Sequence, residues 1–266
     1  MSEVTQYQEN TFCWADLSTN NAEAAKKFYT TLFNWLAIDV PTGENETYTM
    51  LQKQDKNVCA LYAMDPEMSQ QGIPPSWQVY VAVKDVDTAV EKAAKLQGEV
   101  IMPPFDIFDY GRMAVIQDPT GASLALWQAN QHIGAELFKE ANTICWNELY
   151  SEDVATATEF YSSLFGWTVK KVVGAMGEEY SVFKLGDNAV AGMLEIKPGW
   201  GGVPPHWAVY FSVINCDKTL DIVKSLGGTV ESEVMEYEGQ ERFAVVKDPQ
   251  GAHFLIVESL EVDDSK

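Results

Sequence analysis

Basic residues are scarce in this chain of 266 residues, where 18 Lys and Arg stand against 39 Asp and Glu and give a formal net charge of -21. A surface of this charge repels nucleic-acid phosphates and anionic lipid headgroups, so we expect neither a nucleic-acid nor a membrane partner. Long apolar runs are also missing, and none approaches the length that crosses a bilayer. The opening stretch MSEVTQYQEN has no basic start and no apolar core, so it does not resemble a signal peptide, and we expect a cytoplasmic protein.

Cysteine and the common catalytic motifs are equally sparse. The four cysteines, Cys13, Cys59, Cys145 and Cys216, form no CxxC pair, which excludes a zinc knuckle. The sequence contains no GxxxxGK(S/T) loop, no GxGxxG fingerprint and no GxSxG elbow, which argues against phosphate-loop, dinucleotide-binding and serine-hydrolase chemistry. The hydrophobic share of 46% is nevertheless ample for a buried core.

What the chain does have is an internal duplication. FCWADLST reappears as ICWNELYS, AAKKFYTTLFNW as TATEFYSSLFGW, GIPPSWQVYVAV as GVPPHWAVYFSV, and GRMAVIQDPTGASLALW as ERFAVVKDPQGAHFLIV. The offset between the copies is 132 residues for Trp35 and Trp167 and falls to 130 later, so the change in length lies in loops, where it is tolerated. We therefore predict two domains, 1–135 and 136–266.

Each half divides again into two similar units. In the first, FCWADLST has the alternation of a strand, Asn20 and Asn21 offer helix N-caps, and residues 22–35 have helical periodicity. Three extended stretches follow, and the same order returns after WQVYVAV, with Gly98 expected to cap the second helix. The sequence predicts an α+β protein of four βαβββ modules, paired into two domains with cupped mixed sheets.

The FY and LFxW pattern of the helices, the DVD after the fifth strand and the DPxG turns resemble the vicinal oxygen chelate superfamily, which includes glyoxalase I, bleomycin-resistance proteins and extradiol dioxygenases. The resemblance covers both halves, and the chain looks most like the two-domain glyoxalase-like proteins. It implies that the two modules of each half curve into a cup whose concave side holds the ligand.

The same resemblance implies where metal ligands would lie. Metal enzymes of the superfamily take them from the first, fifth and closing strands of a cup, and these positions carry Trp14, Gln78 and Ala125 in the first half and Trp146, Ala208 and Leu255 in the second. Indole and alkyl side chains do not coordinate divalent ions, so we expect no metal and no other cofactor. The alternative is a divalent metal ion in the second domain, held by His206, Glu148 and His253.

Alternation along the first strand of each half places an acid on the same face as the tryptophan: Asp16 with Trp14, and Glu148 with Trp146. An indole offers a stacking surface, and a carboxylate accepts hydrogen bonds or acts as a base. We predict that ligands contact Trp14, Asp16, Gln78, Tyr80, Trp146 and Tyr210. The alternative is that both tryptophans are plain core and the acids lie solvated at the rim.

Other residues receive a role by the same argument. If the second cup is an active site, Glu148 and His206 are its predicted catalytic residues, since His206 lies on the cup face by parity. His132 lies in the connector and is predicted to be a surface residue. Trp77 and Trp207 have the opposite parity and should pack beneath the helices. Arg112 and Arg242 are matched residues that either clamp an anionic ligand or pair with a nearby acid.

Together these features predict a glyoxalase- or bleomycin-resistance-like protein that binds a small aromatic or apolar molecule in a cupped sheet, without metal, as a monomer or homodimer. The alternative is a divergent lyase, isomerase or dioxygenase-type enzyme whose site surrounds Glu148 and His206. A third hypothesis is a scaffold with filled cups, whose surface binds another protein.

Overall fold

The computed structural model describes residues 3–43 and 46–259. The first half contains β1 (Phe12–Thr19), α1 (Ala22–Phe33), β2 (Leu36–Pro41), β3 (Thr47–Lys53), β4 (Lys56–Ala63), α2 (Pro66–Gln70), β5 (Ser76–Ala82), α3 (Val86–Lys95), β6 (Glu99–Ile107), β7 (Gly111–Gln117) and β8 (Ser123–Ala129). Its strands form one sheet in the order β2-β3-β4-β1-β5-β8-β7-β6. In this sheet β1 is parallel to β4 and antiparallel to β5, and β5 is parallel to β8.

The second half repeats this topology. It contains β9 (Ile144–Ser151), α4 (Val154–Phe165), β10 (Thr168–Val173), β11 (Glu179–Leu185), β12 (Asn188–Glu195), β13 (His206–Ser212), α5 (Cys216–Ser225), β14 (Thr229–Val230), β15 (Met235–Tyr237), β16 (Glu241–Lys247) and β17 (His253–Ser259). The strand order is β10-β11-β12-β9-β13-β17-β16-β14, with β15 also paired to β16. The predicted α+β fold of four βαβββ modules, two to each sheet, is confirmed.

Helix ends follow from local chemistry. The side chain of Asn21 caps α1 by accepting from the Ala24 N–H at 3.1 Å, and Asn34 ends that helix with a φ of 55°. The helix therefore stops two residues before the predicted Trp35. In α3 the positive φ of 69° belongs to Gln97, so the prediction that Gly98 is the cap was wrong. A glycine at position 98 is explained by packing instead, since a Cβ there would lie 2.9 Å from the Phe160 ring.

The main core lies between the two sheets, on the faces that carry the helices. Aromatic rings of the two halves meet there: Phe33 and Trp77 lie 5.1 and 5.2 Å from Phe211, and Phe12 lies 5.0 Å from Trp207. Trp77 and Trp207 are on this face, as parity predicted. The two halves thus share one continuous buried cluster, and neither half has a separate helix-side core.

Hydrogen bonds also join the two halves, with donors in each half and acceptors in the other. The indole N–H of Trp35 donates to the Asn142 carbonyl at 2.8 Å, and that of Trp167 donates to the Asn10 carbonyl at 2.8 Å. The Tyr29 hydroxyl donates to Asp248 Oδ2 at 3.0 Å, across the boundary between the halves. The sheets therefore pack back to back, and the faces opposite the helices point outward.

Two remaining sequence features are structural. Arg112 pairs with Asp87 through two nitrogens at 2.8 and 3.0 Å, and Arg242 pairs with Asp217 at 2.8 and 3.2 Å, so each arginine ties a helix to the neighbouring hairpin. In the DPxG turns, Gly121 and Gly251 take φ values of 105° and 107°, as the turn requires. Within the described residues, no helix is both long and apolar enough to span a bilayer.

Candidate functional site

The outer face of each sheet carries the residues that alternation places there. We call the face of the first sheet around Trp14, Asp16, Tyr48 and Tyr80 the first cup. The face of the second sheet around Trp146, Glu148, Tyr180 and Tyr210 is the second cup. Hydrogen bonds and packing join each group on the side away from the helices.

In the first cup, three aromatic side chains surround a buried carboxylate. Trp14 Nε1 donates to the Tyr48 hydroxyl at 3.0 Å, and the hydroxyls of Tyr48 and Tyr80 donate to Asp16 Oδ2 at 2.9 and 2.7 Å. The other oxygen, Asp16 Oδ1, is buried and has no hydrogen-bond partner among the described residues. Burial raises the pKa of Asp16 to about 6, although the bonds from Tyr80 and Tyr48 oppose the rise.

The second cup repeats the arrangement with a longer acid. Trp146 Nε1 donates to the Tyr180 hydroxyl at 3.1 Å, Tyr180 donates to Glu148 Oε2 at 2.6 Å, and Tyr210 donates to Glu148 Oε1 at 2.8 Å. Both carboxylate oxygens are therefore bound, unlike those of Asp16. Burial raises the pKa of Glu148, and hydrogen bonds from Tyr150, Tyr180 and Tyr210 offset part of that rise.

The structure shows a sizeable opening beside these residues of the second cup. The cavity has a volume of about 500 Å³. Its floor and walls include Trp146, Glu148, Tyr180, Tyr210 and Phe243. It is a mainly apolar and aromatic space with one buried carboxylate, the composition that small-molecule sites usually have.

In the first cup, the connector between the halves occupies the corresponding space. The His132 ring lies edge-on to Trp14 at 4.6 Å and is 5.8 Å from Trp127, whose Nε1 donates to the His132 carbonyl at 2.9 Å. Burial lowers the pKa of His132 to about 4. The prediction that His132 is a surface residue was therefore wrong. Nothing in its local sequence shows the path that the connector takes over the sheet.

The connector is tied down next to this histidine. The Ala135 N–H donates to the Cys13 carbonyl at 2.8 Å, and the Tyr7 hydroxyl donates to the Ala135 carbonyl at 2.8 Å. Gly134 has a φ of 109°, and a Cβ there would lie 2.3 Å from the Cys13 oxygen. Only glycine allows the backbone to approach the strand so closely.

Two matched positions explain why one cup is filled and the other open. Trp127 of the first half corresponds to Val257 of the second, and Gly111 corresponds to Glu241. A Cβ on Gly111 would lie 2.4 Å from the Trp127 ring, so the large indole needs the glycine beside it. The smaller Val257 leaves space, and Glu241 lies at the border of the resulting cavity.

The predicted catalytic pair does not meet. The His206 ring stacks on Tyr150 at 4.9 Å, and its Nδ1 lies 2.9 Å from the Pro204 carbonyl. The strand register opposes His206 to Tyr150 and Ala208 to Glu148. In the described chain the hydrogen-bond donors to Glu148 are tyrosines, so the expected pairing of His206 with Glu148 is not formed.

The other predicted contact residues lie where parity placed them. Tyr80 and Tyr210 reach the acids of their cups directly. Gln78 opposes Asp16 in the strand register, but its Nε2 donates to the Val79 carbonyl at 3.2 Å and is not bound to Asp16. The prediction missed Tyr48 and Tyr180, although both stand at equivalent positions of the duplication, 132 residues apart.

Comparison with known proteins agrees with this geometry. The model of the Glyoxalase/Bleomycin resistance protein/Dioxygenase superfamily matches residues 11–126 and 142–256. The chain belongs to this superfamily. Among solved structures, the superfamily fold is shared with the Mn(II)-bound glyoxalase from Novosphingobium aromaticivorans (TM-score 0.65, 14% identity, covering 98% of this chain and 84% of that one). It is also shared with the 2,3-dioxygenase LapB from Pseudomonas sp. KL28 (TM-score 0.63, 13% identity, 98% and 97% covered).

Two relatives are similar to this chain over nearly their whole length. One is the protein of Mycobacterium bovis that bears the name "Putative glyoxylase CFP32", which is 43% identical over 258 residues, covering 97% of this chain and 98% of its own. The other is "Anthracycline biosynthesis protein DauV" of Streptomyces sp. (strain C5), which is 36% identical over 265 residues, covering 96% of this chain and 95% of its own.

The metal ion that many superfamily members carry does not fit the residues of this chain. In the second cup, Trp146 and Leu255 are both opposite Tyr210, and Ala208 is opposite Glu148. The buried carboxylate there, Glu148, already accepts two tyrosine hydroxyls. Across residues 3–43 and 46–259, no three His, Cys, Asp or Glu side chains are grouped so that they could hold one ion. His206, Glu148 and His253, the alternative set, are therefore not grouped around a common position either.

Proposed function

We propose that this protein binds a small, flat aromatic or apolar molecule in the second cup, without a metal ion. The observation that carries the proposal is the cavity of about 500 Å³ beside the Trp146 indole and the buried Glu148. Trp146, Tyr180, Tyr210 and Phe243 give it an aromatic lining, which favours a planar ligand through stacking and edge contacts. The filled first cup makes one ligand per chain the expected stoichiometry.

The name of one relative supports the same class of ligand. DauV is called an anthracycline biosynthesis protein, and anthracyclines are built on a flat fused-ring system. We carry over from this name only the shape and apolar character of the ligand. The partner we propose is thus a small molecule. Whether the chain works as a monomer or homodimer, and in the cytoplasm, stays a prediction from the sequence.

The test is to fill the second cup in the way that the first is filled. The double variant Glu241→Gly with Val257→Trp copies the Gly111 and Trp127 pair, so it should fold and place an indole in the cavity. Calorimetric titration with naphthalene-, anthracene- and tetracene-based compounds should show binding to the wild type. The double variant should bind at least about tenfold more weakly, which is about 1.4 kcal/mol.

The matched control is Glu241→Gly alone, which removes the same charge and leaves Val257 in place. It should retain most of the affinity, and treatment of the wild type with a chelator should leave binding unchanged. Wild-type affinity in the folded double variant would exclude the second cup as the site. A failure of the wild type to bind any compound of the panel would overturn the proposed function.

A second candidate is a lyase or isomerase, and one observation favours it. Glu148 lies in the cavity floor with a pKa raised by burial, which is the behaviour of a general acid or base. His206 is not its hydrogen-bond partner here. Turnover of an enolisable aromatic ketone that disappears in Glu148→Gln but survives in His206→Ala would support this candidate, and its absence in the wild type would reject it.

A further inference from the structure

We call the part of the second cup formed by Trp146, Glu148, Tyr180 and Tyr210 its floor. We infer that this floor recognises a hydrogen-bond donor on the ligand, a hydroxyl or N–H group attached to the ring system. This inference rests on the proposed function and adds the polar chemistry of the ligand. Its basis is that the polar hydrogens at the floor already bond to other protein atoms, whereas lone pairs of acceptor oxygens remain there.

The polar hydrogens at the floor are all directed at other protein atoms. The Tyr180 and Tyr210 hydroxyls donate to the two oxygens of Glu148, at 2.6 and 2.8 Å, and Trp146 Nε1 donates to the Tyr180 oxygen at 3.1 Å. A tyrosine hydroxyl has one proton and an indole has one N–H, so none of these groups has a second hydrogen to offer. The Cys145 thiol donates to the Tyr210 carbonyl at 3.4 Å and is used as well.

The tyrosines retain their protons at neutral pH. Burial raises the pKa of Tyr180 and of Tyr210 well above the ordinary value, and the neighbouring Glu148 carboxylate raises both further. Each hydroxyl therefore remains a donor toward Glu148. Tyr150 also bonds to Glu148, so what remains at the floor is the acceptor capacity that the three tyrosines leave on the two Glu148 oxygens.

The hydrogen-bond donors that line the cavity away from the floor lie at the ends of strands. Ser212, Tyr237 and Ser259 are the last residues of β13, β15 and β17. Lys139 precedes β9 and is exposed, with its ammonium group 5.8 Å from the Phe138 ring. The floor and the strand ends therefore differ in polarity, which gives a ligand one preferred orientation.

A ligand that meets this floor with only acceptors is disfavoured. A methyl ether, a quinone carbonyl or a carboxylate would set its lone pairs against those of the buried Glu148 carboxylate and would supply no proton to it. A phenol supplies the missing proton. Glu178 and Glu241 also line the cavity, so with Glu148 its acids outnumber Lys139 by three to one, which further disfavours an anionic ligand.

The test uses three probes with one ring system: 2-naphthol, 2-methoxynaphthalene and 2-naphthoate, titrated calorimetrically into the full chain at pH 7.5. We expect 2-naphthol to bind at least about tenfold more tightly than the ether, since hydrogen bonds to charged groups are among the strong ones. Naphthoate should bind most weakly. Equal affinity for naphthol and the ether would overturn this inference while leaving the proposed function intact. If none of the three binds, this inference fails, and the proposed function fails with it only if no anthracene- or tetracene-based compound binds either.

Two variants test whether Glu148 causes the preference for 2-naphthol over the ether. Glu148→Gln supplies amide protons to the tyrosine oxygens, which frees a hydroxyl proton for the cavity, so the preference for naphthol should fall below about threefold. The matched change Asp16→Asn in the first cup should leave it unchanged. Should Glu148→Gln fail to fold, Tyr210→Phe serves, because it removes a donor from Glu148 Oε1 and should preserve or increase the preference. A preference that is unchanged in folded Glu148→Gln, or lost in Tyr210→Phe, would refute the assignment.

Discussion

Replacing Asp16 with Asn should remove a defined pH dependence from the stability of the protein. Burial raises the pKa of Asp16 to about 6 from an ordinary value of 3.8. One pKa unit corresponds to about 1.4 kcal/mol, so a shift of about 2 units is equivalent to about 3 kcal/mol. Because the folded carboxyl holds its proton more tightly than the unfolded one, the favourable contribution is complete below about pH 4 and is lost as the pH rises through about 6.

The measurement is urea denaturation of wild type and Asp16→Asn from about pH 4 to about pH 8, with the free energy of unfolding compared at each pH. The variant cannot ionise at this position, so its stability relative to wild type should rise by up to about 3 kcal/mol across that interval. Any loss of hydrogen-bond quality with Tyr48 and Tyr80 adds an offset that does not depend on pH.

The control is Asp187→Asn, which deletes one exposed charge in the turn between β11 and β12. It reports the effect of lowering the net negative charge alone. If the difference between Asp16→Asn and wild type is as flat as that of the control, Asp16 is in contact with water. The account of a first cup closed by Trp127 and His132 would then be wrong.

Three further changes test the packing around the cups. Tyr29→Phe should lower the free energy of unfolding by about 1–3 kcal/mol in urea, because it takes away the hydroxyl that donates to the buried Asp248 at 3.0 Å; a change below about 0.5 kcal/mol would contradict this contact. His132→Ala should raise the fraction of tryptophan fluorescence that acrylamide quenches, whereas unchanged quenching would mean that the first cup is already open. Gly111→Ala should cost about 1–3 kcal/mol, since its Cβ would lie 2.4 Å from the Trp127 ring and 2.7 Å from the Gln128 carbonyl oxygen, and the cost should be smaller but not zero when Gly111→Ala is made in Trp127→Val; an equal cost in both backgrounds would reject a clash with the indole.

The fold was predictable because the signals on which it depends are local and occur twice. Each local signal specifies its own segment: strand alternation, the helix N-caps and the two DPxG turns. Because the chain is duplicated, each of these signals occurs again in the second half and supports the same assignment. Where prediction failed, a tertiary contact had overridden the local signal. Gly98 suits a helix cap by composition, but the structure uses its small size against Phe160 and lets Gln97 take the positive φ.

The candidate site was predictable only along single strands. Parity alone places Asp16 beside Trp14 and Glu148 beside Trp146, since side chains two residues apart share a face. Tyr48 and Tyr180 reach the acids from β3 and β11, two strands away in the sheet, and their alignment with β1 and β9 depends on a register that single-strand parity does not contain. The position of His132 depends on the route of the connector, which is fixed by contacts with Cys13 and Trp127.

The two halves are equal in topology but contribute differently, and the difference includes one matched pair of positions together with the connector that carries His132 over the first cup. The Trp127 ring leaves no room for a Cβ at position 111, whereas the second half has a side chain at Glu241 beside the smaller Val257. The half whose cup is filled is still not dispensable, because its helix face is part of the same core as that of the open half, and Tyr29 bonds Asp248 across it. Removing the first half would expose that core. The filled cup therefore belongs to the support of the open one, and on the proposed function a single ligand site would depend on both domains.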